Sequence, residues 1–104
     1  MDTLTMNIKR EFFAAIVTTK KGRDKKVVEY RPMSNFWKRR IEPLTPPFKL
    51  RLLNGMTHPI PEAVVVVKRV TRDRGAREYQ LHLGRVLSVK RWDRVLEKPK
   101  GRRE

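Results

Sequence analysis

Apolar positions in this chain follow one period near the N-terminus and another beyond residue 47. Ile8, Phe12 and Ile16 fall four apart, with Phe13 and Val17 beside them and Asn7 placed as an N-cap. That spacing predicts a short amphipathic helix over residues 8–18, ended weakly by Thr18 and Thr19. A basic turn, Lys20 to Lys25 around Gly22, follows it. Lys26 to Arg31 carries the β-branched pair Val27 and Val28 and stops at Pro32, which predicts a strand. Ser34 then caps a second short helix with a stripe of Phe36, Trp37, Arg40 and Ile41, edged by Lys38 and Arg39 and halted by Pro43.

From Phe48 the period becomes two. Phe48, Leu50 and Leu52 alternate with Lys49 and Arg51 up to the turn dipeptide Asn54-Gly55, giving a strand with one apolar and one basic face. Ala63 to Val70 is a continuous Val-rich run and predicts a strand buried on both faces at its centre. A polar hairpin loop spans residues 71–76, and Tyr79, Leu81 and Leu83 then alternate with Glu78, Gln80 and His82. Gly84 interrupts this strand as a bulge or corner before it resumes over residues 86–92. Residues 98–104 contain no apolar side chain other than Pro99 and read as a solvated basic tail.

The fold class expected is therefore α+β: a small mixed β-barrel of about five strands with two short helices near the N-terminus, in which closure removes the sheet edges. A chain of 104 residues is one domain, assigned to residues 1–93, with residues 94–104 as a flexible tail. No helix-turn-helix fits, because the helices are short and the second half is strand throughout.

Charge changes the picture from fold to partner. Twenty-six Lys and Arg against 11 Asp and Glu give a net charge of +15, which opposes compaction and calls for a polyanion. RNA, single-stranded or structured, is the expected partner, with DNA as a possibility, because counterion release supplies affinity without sequence reading. The chain has no cysteine, and His58 and His82 lack metal-ligand spacing, so neither a metal nor a cofactor is expected. With neither a signal-like nor a membrane-length apolar run, a cytoplasmic location without membrane contact is expected; oligomeric state is left open.

The residue that does not fit a uniform basic field is Glu29. On a strand it shares a face with Val27 and Arg31, while Lys26, Val28 and Tyr30 point the other way. Lys25 joins the Glu29 face if the strand extends that far, and Lys26 joins it only through a bulge or a preceding turn; spacing leaves both open. A lysine beside a carboxylate can act as base, nucleophile or substrate anchor. The simpler reading is a solvated strand face with ordinary ion pairs.

In sequence order, a short strand, the helix around Lys9 to Ile16, the segment Lys26-Val27-Val28-Glu29-Tyr30-Arg31, the aromatic-basic helix Phe36 to Ile41 and Arg51 to Gly55 together resemble an ASCH domain over roughly residues 4–93. Lys26, Glu29 and Arg31 match three positions of the signature Gly-x-Lys-x-x-Glu-x-Arg. Asp24 holds the glycine position, and Gly22 lies two residues earlier, as in a slightly longer loop. The resemblance implies a small PUA-like barrel with an RNA-facing cleft lined by these residues. It further implies RNA binding, single-strand ribonuclease activity or amide hydrolysis on an acetylated cytidine. In the last group the lysine matching Lys26 is catalytic but a threonine replaces Glu29, so that activity does not transfer directly.

Three functions follow: an RNA-binding module, a metal-independent ribonuclease or nucleoside amidohydrolase with Lys26 and Glu29 as the reacting pair, or a basic adaptor for an acidic protein. Around the same cleft Tyr30 and Trp37 are candidates to stack on bases, although either also suits a core. Lys9, Lys25, Arg31, Lys38, Arg39 and Arg51 are candidate phosphate ligands, Asn54 is a candidate contact or a turn residue, and His82 a candidate general acid or an ordinary exposed histidine. Lys9 and Arg10 oppose the helix macrodipole, which hints at an anion there.

Overall fold

The computed structural model describes residues 1–101. Its elements run β1 (Thr3–Asn7), α1 (Arg10–Val17), β2 (Val28–Pro32), α2 (Asn35–Ile41), β3 (Phe48–Leu53), β4 (Glu62–Asp73), β5 (Glu78–Lys90), β6 (Trp92–Asp93) and β7 (Lys98–Pro99). Five strands form one sheet in the order β1-β3-β4-β5-β2, in which β1 runs parallel to β3 and the other pairs are antiparallel. The α+β class is as expected.

Alternation builds the sheet. Phe48, Leu50 and Leu52 of β3, Ala63, Val65 and Val67 of β4, and Tyr79, Leu81 and Leu83 of β5 bury one face, joined by Leu4 and Met6 of β1. Onto it pack Phe13, Ala14, Ile16 and Val17 of α1 and Ile41 of α2. Because the core lies on one side, Val64 and Val66 remain half-buried on the other, so β4 is not buried on both faces.

The β4–β5 hairpin curls this sheet. Its register shifts between Val64 and Val65, between Val65 and Val67, and between Val67 and Arg69. One shift sets Gly84 and Arg85 against Val66, the bulge predicted at Gly84, where a Cβ would meet Lys68 Cγ at 2.9 Å. Curling stops short of closure: β1 and β2 remain the two ends of the sheet order, giving a half-barrel with a seam. The edges that closure was expected to remove are therefore present. Across the seam the Arg31 guanidinium of β2 donates through Nη2 to the Asn7 carbonyl of β1, at 2.9 Å.

Two local expectations are corrected. Asn7 does not cap α1. It ends β1, and its Oδ1 accepts the Gly55 N–H at 3.1 Å, while Lys9 takes the N-cap position without a side-chain cap. The buried face of α1 is turned one residue from the predicted stripe, so Phe13 is fully buried and Phe12 is 40% exposed. Asn54-Gly55 does end β3, and a loop then runs to β4 at Glu62. Gly55 supplies a positive φ of 94°, and the Asn54 N–H donates to the Pro61 carbonyl.

The expected tail folds back at its start. Asp93 Oδ1 accepts the N–H groups of Val95 and Leu96, turning the chain so that β7 pairs with β6. Trp92 packs edge-on against Phe13 (4.9 Å between centroids), and Arg94 donates twice to the Val17 carbonyl, capping the C-terminus of α1. Glu97 pairs with Arg23 and Lys20. Residues 94–99 are thus paired and packed against the end of α1 and the basic turn after it. Residues 102–104 of that expected tail lie outside the described residues.

Candidate functional site

Glu29 faces inward from β2, paired in register with the core residue Leu81. An inward carboxylate on an edge strand needs partners, and one of its oxygens is crowded with them. Oε1 accepts the Tyr30 N–H (2.9 Å), pairs with Arg31 Nη1 (3.2 Å) and lies 3.6 Å from Lys26 Nζ. Oε2 is buried and has no hydrogen-bond partner among the described residues.

The competition between Lys25 and Lys26 is decided by α1. Its Ala15 carbonyl accepts the Lys26 N–H at 2.9 Å, which holds the segment before β2 against the helix and directs Lys26 at Glu29. Lys25 is exposed and lines a neighbouring groove with Glu11, Ala15 and Asp24. Lys26 Nζ also sits 5.1 Å from the ring centroids of both Phe12 and Tyr30.

These side chains, with Asn7, Ile8, Lys9 and Arg31, line a cleft of about 580 Å³ at the seam. Phe12 and Tyr30 are 40% and 44% exposed there. Arg31 is latched by the Tyr30 carbonyl (2.7 Å) and the Asn7 carbonyl, with its guanidinium 5.3 Å from the Trp37 centroid. Lys9, Lys26, Glu29, Tyr30 and Arg31 thus converge on one site.

Other candidates lie elsewhere. Trp37 packs partly against the core and reaches the cleft only through Arg31. Lys38 and Arg39 are exposed on α2, and Lys38 lines a separate hollow. Arg51 is ion-paired with Glu62, which Arg91 and Lys90 also approach at 3.8 and 4.0 Å. Asn54 Nδ2 donates to the Ile8 carbonyl at 3.0 Å, bracing the chain between β1 and α1. Arg10 rests over the Trp92 ring (5.9 Å).

His82, paired in register with Val28, does not line the cleft. Its Nε2 lies 2.7 Å from the Thr71 hydroxyl, which is also 2.7 Å from Gln80 Oε1. Burial, and then the charges of Arg69 and Lys68, lower the His82 pKa below its usual 6.5. A histidine depressed on folding favours the neutral form. Its contribution is thus present above about pH 6.5 and is lost as pH falls through the folded value. Urea midpoints between pH 8 and pH 5 should fall more for the parent chain than for His82→Gln, and parallel curves would refute this.

Sequence reasoning missed Phe12, which it placed in the core stripe, and Asn7, which it used as a cap. The exposed side of α1 offered a signal: Phe12 and Lys9 lie three apart. No group of three or more His, Asp or Glu placed to hold a metal ion occurs among the described residues, and none of the helices described is long and apolar enough to cross a membrane. Compared with family models, curated proteins and solved structures, the chain has no match in any of the three.

Proposed function

We propose that the seam cleft binds RNA as an unpaired strand, in a domain of the PUA-like ASCH kind. The observation that carries this reading is the buried, unpartnered Oε2 of Glu29, in a cleft that the half-exposed rings of Phe12 and Tyr30 also line. A buried acceptor without a donor costs about 1–3 kcal/mol, so a ligand that supplies an N–H or O–H recovers that loss. A carboxylate repels phosphate, so the group that meets Oε2 is a base or sugar donor. RNA adds the ribose 2′-hydroxyl to the donors on unpaired bases. Phe12 and Tyr30 provide stacking, and Lys9, Lys26 and Arg31 outweigh the one carboxylate toward the flanking backbone.

A second reading, a metal-independent enzyme on RNA or a modified nucleoside, is favoured by the 3.6 Å approach of Lys26 Nζ to Glu29 Oε1. That spacing suits proton exchange between the pair and a bound substrate.

Both are tested by anisotropy and product analysis with labelled single-stranded RNA, duplex RNA and single-stranded DNA at 50 and 200 mM salt, with chelator present. Single-stranded RNA should bind tightest, with affinity falling steeply with salt. Glu29→Gln should weaken binding by about tenfold or more, as for a charged hydrogen bond worth about 1.5–3 kcal/mol. Absence of binding at low salt would remove the RNA reading, and binding to an acidic protein in its place would favour the adaptor. RNA cleavage lost in Lys26→Ala with binding retained would establish the enzyme.

A further inference from the structure

A second cavity, larger than the seam cleft at about 660 Å³, opens between α2 and the β4–β5 turn. Lys38, Arg72, Arg74 and Arg77 line it against one carboxylate, Glu42. That carboxylate is already engaged: Arg72 Nη2 lies 3.2 Å from Oε1, and the Tyr79 hydroxyl donates to Oε2 at 3.3 Å. Tyr79 is itself buried, and burial followed by the Glu42 charge raises its pKa, so the phenol keeps the proton it donates. Lys38, Arg74 and Arg77 are exposed, and with Glu42 held by Arg72 the surplus of positive charge belongs to them.

Arg77 has a φ of +55°, a left-handed backbone that a glycine or asparagine adopts at less cost in a hairpin. The turn holds its glycine at Gly75 and an arginine at the left-handed position, and that arginine lines the hollow. Its carbonyl accepts the Met33 N–H at 2.8 Å, fixing the turn against the end of β2.

The hollow and the seam cleft are joined. Tyr30 and Arg31 line the cleft and also a shallow groove past Pro32, where Arg31 and Arg77 outnumber the one carboxylate, Glu78, and Arg77 lines both that groove and the hollow. From Glu29 to Pro32 the path is on the order of 10 Å, at about 3.3 Å per strand residue. The β2 edge therefore forms a basic track with a base-sized, aromatic cleft at one end and a cation-lined hollow at the other.

We infer that this hollow holds a backbone phosphate of the same strand whose unpaired nucleotide occupies the seam cleft. The inference rests on the RNA-binding reading of that cleft and adds to it a direction, along β2, and a minimum length. Cations without a carboxylate free to oppose them suit phosphate, as the Glu29 cleft does not.

The test compares dinucleotides with hexanucleotides of single-stranded RNA, measured by anisotropy across a salt series. The proteins are the parent chain, Lys38→Gln/Arg74→Gln and Arg77→Gly; glycine keeps the left-handed backbone relaxed if the double variant folds poorly. In the parent, hexanucleotides should bind more tightly and with a steeper salt slope. The double variant should leave dinucleotide affinity unchanged, weaken the hexanucleotide about tenfold or more and flatten its slope by about 0.7, the share of the one single-strand phosphate that the hollow holds. Equal loss at both lengths, or none at either, overturns the inference while leaving the cleft reading standing. Failure of the parent to bind either length removes both.

Discussion

Replacing Lys26 and Glu29 together, by methionine and leucine, is expected to leave the fold as stable as the parent or more stable by about 1–4 kcal/mol, while RNA binding is lost. Taking one member from a buried ion pair strands its partner, whereas replacing both by apolar groups removes the desolvation cost with the attraction. Here that cost is visible as an oxygen, Oε2, that gains nothing in return. Arg31 would keep the carbonyls of Tyr30 and Asn7 as acceptors. Glu29→Leu alone should instead lose about 1–3 kcal/mol, less than for a fully enclosed pair because the Lys26 and Arg31 side chains are 17% and 16% exposed. Urea unfolding by linear extrapolation measures both. A double variant clearly less stable than the parent would show that the carboxylate is held for the fold and not for a ligand.

Phe13→Ala should cost about 3–5 kcal/mol. Phe13 is fully buried where α1, the sheet and the C-terminal hairpin meet, and its ring holds Trp92 edge-on. A chain of this length has about 5–15 kcal/mol in total, so the substitution removes a large part of it. The urea midpoint should drop accordingly, and Trp92, freed on one side, should emit further to the red. A loss below about 1 kcal/mol would mean that α1 is not packed as described. Phe12→Ala, one residue away on the cleft side, provides the contrast and should cost much less.

The strands that alternate strictly were legible. Phe48, Leu50 and Leu52 announce their buried face, and Tyr79, Leu81 and Leu83 announce theirs, because one residue of slip would bury Lys49 and Arg51 in the first strand and Glu78, Gln80 and His82 in the second. Gly84 was legible as a bulge because little else explains a glycine inside that pattern. The α1 face was less so: Phe12 and Phe13 are chemically alike, and only the sheet decides which one is buried. Asn54-Gly55 carries a hairpin's residues, yet its side chain is spent on the Ile8 carbonyl, 46 positions away in sequence. The Glu29 and Arg31 pairing follows from strand alternation alone. Lys26 joins them because α1 anchors its backbone through Ala15, a tertiary contact without any sequence period. The hollow had no signature either, since Arg72, Arg74 and Arg77 read as a polar turn until α2 is set beside them.

The open seam gives the net charge another role. A half-barrel has two unpaired strand edges, and such edges recruit copies of their own chain into continuous sheets. On this molecule each approaching copy brings a charge of +15, and Lys26 and Arg31 stand beside the β2 edge itself. Like-charge repulsion therefore does what barrel closure does elsewhere: it keeps the edges apart. A polyanion bound along β2 neutralises that repulsion while it covers the edge, so protection against self-association passes from charge to ligand.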